Sequence, residues 1–125
     1  MKENYSLLGL RIIGWKEAAQ EESADLSQYV DQNIGVYTLE DKIRPVTDQE
    51  YEVLTAQFPD IGKSEEFAVM EVQVVTWKED AAQEARELEA FAREAVGLVV
   101  LNAEIASLTD DEWDACLACE PEKFS

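Results

Sequence analysis

The chain is written twice. A shift of 62 residues, the step from Trp15 to Trp77, lays Trp15, Lys16 and Glu17 on Trp77, Lys78 and Glu79 without a gap. The same shift puts Leu26 on Leu88, Gly35 on Gly97, Leu39 on Leu101, Ile43 on Ile105, and Thr47, Asp48 and Glu50 on Thr109, Asp110 and Glu112. Conservative pairs fill the intervals: Ile12 and Ile13 on Val74 and Val75, Tyr29 on Phe91, Tyr51 on Trp113. Recurrence at a fixed period marks an internal duplication, so the fold has to be built from two like units, residues 1–62 and 63–125.

Each unit opens on a short β-branched, apolar run, Leu7 to Ile13 or Ala68 to Val75, which reads as a strand. A helix follows. In the second copy Ala81, Ala85, Leu88, Ala92 and Ala95 recur at helical spacing, with Glu84, Glu87, Glu89 and Glu94 largely off that stripe; the counterpart runs from Glu17 to Asp31. Gly35 and Gly97 stand where a left-handed residue would end each helix. Second strands are expected at Val36–Leu39 and Leu98–Leu101, followed in the first copy by a loop, Glu40 to Val46, that contains Pro45.

Thr47-Asp48-Gln49-Glu50 and Thr109-Asp110-Asp111-Glu112 are capping boxes, each predicting a short helix. Pro59 to Lys63 is the joint between copies. The expected fold is therefore α+β: two tandem β-α-β-α repeats forming a four-stranded sheet, with two longer helices on one face and two short helices. An approximate two-fold axis should relate the copies, and a ferredoxin-like strand order is the first candidate. With 46% hydrophobic residues the chain can offset its ordering entropy. A unit of two strands and two helices buries too little apolar surface alone, so 1–125 is read as a single domain with a shared core.

Charge narrows the function. Twenty-eight Asp and Glu face ten Lys and Arg, leaving −18. Such a field repels nucleic-acid phosphate and anionic lipid, and attracts cations and basic protein surfaces. Direct nucleic-acid binding and membrane binding are thus excluded from the expected partners. No apolar run approaches the roughly 20 residues of a transmembrane helix. The opening MKENYSLLGLRIIGW lacks the pattern of a secretory signal, so a cytoplasmic location is expected.

Having no His removes the usual general base and the commonest transition-metal ligand. No P-loop, G-x-G-x-x-G or G-x-S-x-G occurs, and no acid pair stands out for glycosidase chemistry, so the chain is read as a non-enzyme. Cys116 and Cys119 are spaced C-x-x-C, but structural zinc needs four ligands and a thioredoxin-like pair should open a helix after a strand. They are read as two small apolar residues one turn apart. Trp15, Trp77 and Trp113, at repeated apolar positions or element ends, are read as packing residues rather than ligand stackers.

Oxygen ligands in surplus suit calcium, which takes six to eight of them in flexible geometry. The EF-hand loop fits no segment. Two candidate segments remain, Glu40-Asp41 followed by Thr47 to Glu50 and Asn102 to Glu104 followed by Thr109 to Asp114, and the ligands expected in them are Glu40, Asp41, Asp48, Glu50, Asp110, Asp111 and Glu112. Capping already accounts for Glu50 and Glu112, and Asp48 and Asp110 suit the positive helix end, which leaves Glu40, Asp41 and Asp111 as the discriminating residues. Small size, acidity, the opening GLRIIGW and the twice-written WKE resemble the small acidic calcium-binding proteins of cyanobacteria (CcbP-like). That resemblance implies an intracellular protein that sequesters calcium and takes part in calcium signalling during cell differentiation; it places no ligand residue. The alternative is a DNA mimic, an acidic inhibitor of a nucleic-acid-binding protein of the anti-restriction or anti-CRISPR type. A calcium binder needs acids converging on one point, whereas a mimic needs them spread over one face.

Overall fold

A computed structural model describes residues 2–124, apart from the side chain of Lys123. Four strands, β1 (Tyr5–Trp15), β2 (Tyr37–Pro45), β3 (Phe67–Trp77) and β4 (Val99–Ser107), form one antiparallel sheet in the order β2-β3-β1-β4. The fold is α+β, as the repeat predicts, and the order is ferredoxin-like. Between the strands lie α1 (Lys16–Asn33), α2 (Asp48–Gln57) and α3 (Ala81–Ala95); α4 (Asp110–Cys119) and a four-residue α5 (Pro121–Phe124) follow β4.

The two central strands show why the copies cannot separate. Tyr5 pairs with Trp77, Leu10 with Val72, and Trp15 with Phe67. Under the 62-residue shift Leu10 and Val72 are equivalent, so the pseudo-two-fold axis passes through that pair. It also passes between Tyr29 and Phe91, another equivalent pair, whose rings stack at 4.1 Å between α1 and α3. Leu8, Leu10, Ile12, Met70, Val72 and Val74 alternate onto one face and bury there against Leu26, Val30, Leu88 and Ala92 of the long helices. Both copies contribute to every layer of this core.

The opposite face is covered only at its ends. At one end, α4 and α5 close over Tyr5, Leu7 and Val75. At the other, Leu54 of α2 packs with Ile13, Phe67, Val69 and Val99. The tryptophans belong to these end clusters: Trp15 lies 4.7 Å from Phe67, Trp77 stacks 4.6 Å from Tyr5, and Trp113 lies 5.7 Å from Phe124. Between the clusters the sheet is open, and its central residues are Gly9, Arg11, Glu71 and Gln73.

The edge strands are longer than sequence patterning indicates. Glu40 to Pro45 is strand rather than loop, pairing Glu40 with Gln73, Lys42 with Glu71 and Pro45 with Ala68. Asn102 to Ser107 likewise continues β4 along β1. The apolar pattern fails there because an edge strand needs one neighbour only, and its outer half meets water. A register shift breaks each ladder at the equivalent point, around Leu39 in β2 and Leu101 in β4. Pro45 is tolerated because it ends an edge strand. Both expected glycine turns are present, with φ +74° at Gly35 and +66° at Gly97.

Candidate functional site

The seven acids proposed as metal ligands fall into separate environments. Glu40 and Asp41, adjacent in β2, point to opposite faces of the sheet. Glu40 Oε1 pairs with Lys42 Nζ at 3.1 Å on the open face. Asp41, on the helix face, accepts hydrogen bonds from Ser23 Oγ at 3.0 Å and from Ser27. Asp48 is exposed in the first turn of α2, and Asp111 is exposed in the first turn of α4. Asp110 forms an ion pair of 2.5 Å with Lys2, which lowers the Asp110 carboxyl and raises the lysine.

Both capping boxes are complete. Glu50 N–H donates to Thr47 Oγ1 at 3.2 Å and Thr47 N–H to Glu50 Oε1 at 2.9 Å; for Thr109 and Glu112 the distances are 3.1 and 2.8 Å. Glu50 has a second role in the first copy only. Arg44 grips both its oxygens, Nη1 to Oε1 at 2.8 Å and Nη2 to Oε2 at 2.7 Å. Among the described residues no group of three or more Asp, Glu or Cys is disposed to hold a metal ion.

The open sheet face carries instead a charge cluster around Glu71, whose side chain is 15% exposed. Arg44 Nε donates to Glu71 Oε1 at 2.7 Å, with Lys42 Nζ 3.3 Å from Oε2 and Arg11 Nε 3.4 Å from Oε1. The Arg44 fork and the capping N–H of Thr47 hold the Glu50 carboxyl down to about 2 against its own partial burial. At Glu71 burial pushes the carboxyl up, but Arg44 and then Lys42 outweigh it, so the net direction is down. The guanidinium of Arg44 is raised, chiefly by Glu50. Three cations are therefore spent on a carboxylate the chain itself supplies.

A clasp joins the two copies, and sequence patterning does not show it. Gly35 N–H donates to Glu84 Oε2 at 2.9 Å, and Gly97 N–H donates to Glu22 Oε2 at 2.8 Å. Each helix-ending glycine is thus satisfied by an acid from the other copy's long helix. Patterning assigns Glu84 to a solvated face, but Glu22 and Glu84 are equivalent under the shift, and that identity is the available signal.

A row of exposed acids lies on the outer side of the helix layer. Glu17, Glu21 and Asp25 are exposed on α1, four residues apart, which is about 6 Å per step along the axis. None of the three has an ion-pair or hydrogen-bond partner among the described residues. Their equivalents beside and on α3 are Glu79, Gln83 and Glu87, all exposed. Because β1 and β3 are antiparallel and each helix returns along its own strand, the two rows run in opposite directions, related by the pseudo-two-fold axis. Two shallow hollows, also equivalent, lie where these helices begin: one of about 550 Å³ lined by Trp15, Lys16, Glu17, Glu65 and Glu66, another of about 440 Å³ lined by Glu3, Asn4, Trp77, Lys78 and Glu79.

No protein-family model matches the chain, and no curated protein matches it by sequence. Among solved structures, the chain is similar to the C-terminal domain of the MgtC protein from Mycobacterium tuberculosis, determined in solution. The likeness has a TM-score of 0.55 at 13% identity and covers 88% of this chain and 95% of that one. It is a likeness of fold. No helix among the described residues is long and apolar enough to cross a membrane.

Proposed function

We propose that this chain is a non-catalytic binding protein whose acidic helix layer docks on the phosphate-binding surface of a basic, nucleic-acid-binding protein. The observation that supports this reading is the row Glu17, Glu21 and Asp25, exposed, unpartnered and in line on a rigid helix. Its step of about 6 Å is within a factor of two of the roughly 3.4 Å charge repeat along one DNA strand. The opposed row containing Glu79 and Glu87 gives the surface the antiparallel character of a duplex. Of the acids near Thr47 and Thr109, by contrast, Glu50 and Glu112 serve caps, and Glu50 and Asp110 form internal ion pairs. In this reading the protein works in the same compartment as its partner, the cytoplasm.

Calcium sequestration is the competing proposal, and one pair of measurements separates the two. The first is displacement of labelled duplex DNA from a basic DNA-binding protein, compared for the triple variant Glu17→Gln, Glu21→Gln, Asp25→Asn and for the equally neutralised Glu52→Gln, Asp111→Asn, Asp114→Asn. The row variant should lose displacement and the control retain it, with the wild-type effect falling steeply as salt rises. Equal loss in both would reduce the reading to undirected charge. The second is calorimetric titration with calcium in ~0.1 M salt. Saturable uptake that Glu40→Gln, Asp41→Asn and Asp111→Asn abolish would establish the calcium reading instead.

A further inference from the structure

The two edge strands are equivalent by descent and unlike in protection. β2 carries Glu40, Asp41, Lys42 and Arg44 among its nine residues and ends on Pro45. Charged side chains, lysine above all, and proline are the devices by which an edge strand avoids pairing with another chain. β4, Val99–Ser107, has none of these except Glu104. Its last five residues, Ala103 to Ser107, are all exposed, and Ile105 is 48% exposed. In a chain of net charge −18 this is a nearly neutral strand presenting an outer row of backbone N–H and C=O groups.

We propose that β4 is a self-association edge: two copies pair β4 with β4, antiparallel, about a two-fold axis at Ile105, forming one eight-stranded sheet. The charge pattern selects a second copy in this register. An axis at Ile105 sets the two exposed isoleucines against each other, Glu104 opposite Ala106, and Ala103 opposite Ser107. The acids then meet only diagonally, about 7–8 Å apart, so the repulsion of directly opposed like charges is avoided. A two-fold contact of this kind is self-complementary and closes at the dimer. The same shift that places Ile105 on Ile43 gives no equivalent at β2, because Lys42 and Arg44 flank Ile43.

This inference does not depend on the acidic helix layer, and salt distinguishes them. Two copies each carrying −18 repel outside the contact, so screening strengthens the dimer while weakening attraction to a basic partner. Sedimentation velocity from micromolar to millimolar concentration should show a species of twice 14.1 kDa whose share grows with added salt. Ile105→Lys, at an exposed position that leaves the fold intact by circular dichroism, should weaken association at least about tenfold. Ile43→Lys should leave it unchanged. In a Cys119→Ser background, Ile105→Cys should give a disulfide-linked dimer on oxidation with diamide, since opposed antiparallel residues lie about 4.5–5.5 Å apart at Cα, within disulfide range. A wild-type chain that stays monomeric throughout overturns the proposal, as does a dimer that survives Ile105→Lys or fails to cross-link through Ile105→Cys.

Discussion

Residues 1–62 and 63–125 share one scaffold and differ in what they hang on it. Both copies keep the strand register, the left-handed glycine after the long helix, the capping box and the glutamate that clasps the other copy's glycine. They part on the open face of the sheet. The first copy's β2 places Lys42 and Arg44 around Glu71, while the equivalent positions in the second copy's β4 and in β1 are Glu104, Ala106 and Gly9. Thr76 donates to Glu84 where Gly14 occupies the equivalent position. Features that fix the backbone are written in both copies, whereas charge on an exposed face is free to drift.

The strongest test of shared architecture is the core. Leu26 and Leu88 are equivalent and each 2% exposed. Leu26→Ala and Leu88→Ala should each destabilise by about 3 kcal/mol, with one cooperative transition in urea. Two transitions, or a silent member of the pair, would break the picture of a core held in common.

Next come the glycines. An added Cβ at Gly35 would drive into Val74 Cγ1, and one at Gly97 into Ile12 Cγ2, both at positive φ. Gly35→Ala and Gly97→Ala should each cost at least about 2 kcal/mol by thermal or urea melting. A neutral result at either would show that its turn relaxes, and the copies would then differ in backbone as well as in surface.

The charge cluster should separate the copies through pH. Glu50 is held at about 2 against an ordinary 4.5, so the unfolded chain binds more protons as the solution is acidified. Its contribution is fully present above about pH 4.5 and is lost as pH falls through about 2. Arg44→Ala should remove about 2 kcal/mol at neutral pH and flatten the acid limb of the stability curve, measured by urea unfolding between pH 2 and 7. An unchanged acid limb would mean that Arg44 packs without stabilising the charge. The smallest effect belongs to the caps: Thr47→Ala and Thr109→Ala should each cost about 1 kcal/mol, and nearly the same amount. A larger loss at Thr47 would show that cap and Arg44 cluster act together through Glu50.

The parts legible in the sequence were those that each residue settles with near neighbours. Leu26 and Leu88 lie on a helical stripe, Thr47 and Glu50 are three residues apart, and Gly35 follows its helix directly. Glu40 to Pro45 and Asn102 to Ser107 escaped because their strand character comes from β3 and β1, not from their own apolar content. The proposed calcium residues illustrate the same limit. Glu40 and Asp41 are adjacent in the chain, yet strand geometry sends one to the Lys42 side and the other to Ser23 and Ser27.

The sequence by itself determined that the chain has two equivalent β-α-β-α units, where their long helices lie and their short helices begin, and that a strong negative charge must be carried on the surface. Periodicity, caps and composition are local or additive properties, and they survive in one dimension. Tertiary structure alone decided that β1 and β3 pair about Leu10 and Val72, that Glu22 and Glu84 cross over to the opposite copy, and that Arg44 meets Glu71. Those contacts join residues 27 to 75 positions apart, and what brings them together is the burial of one apolar sheet face shared by both copies.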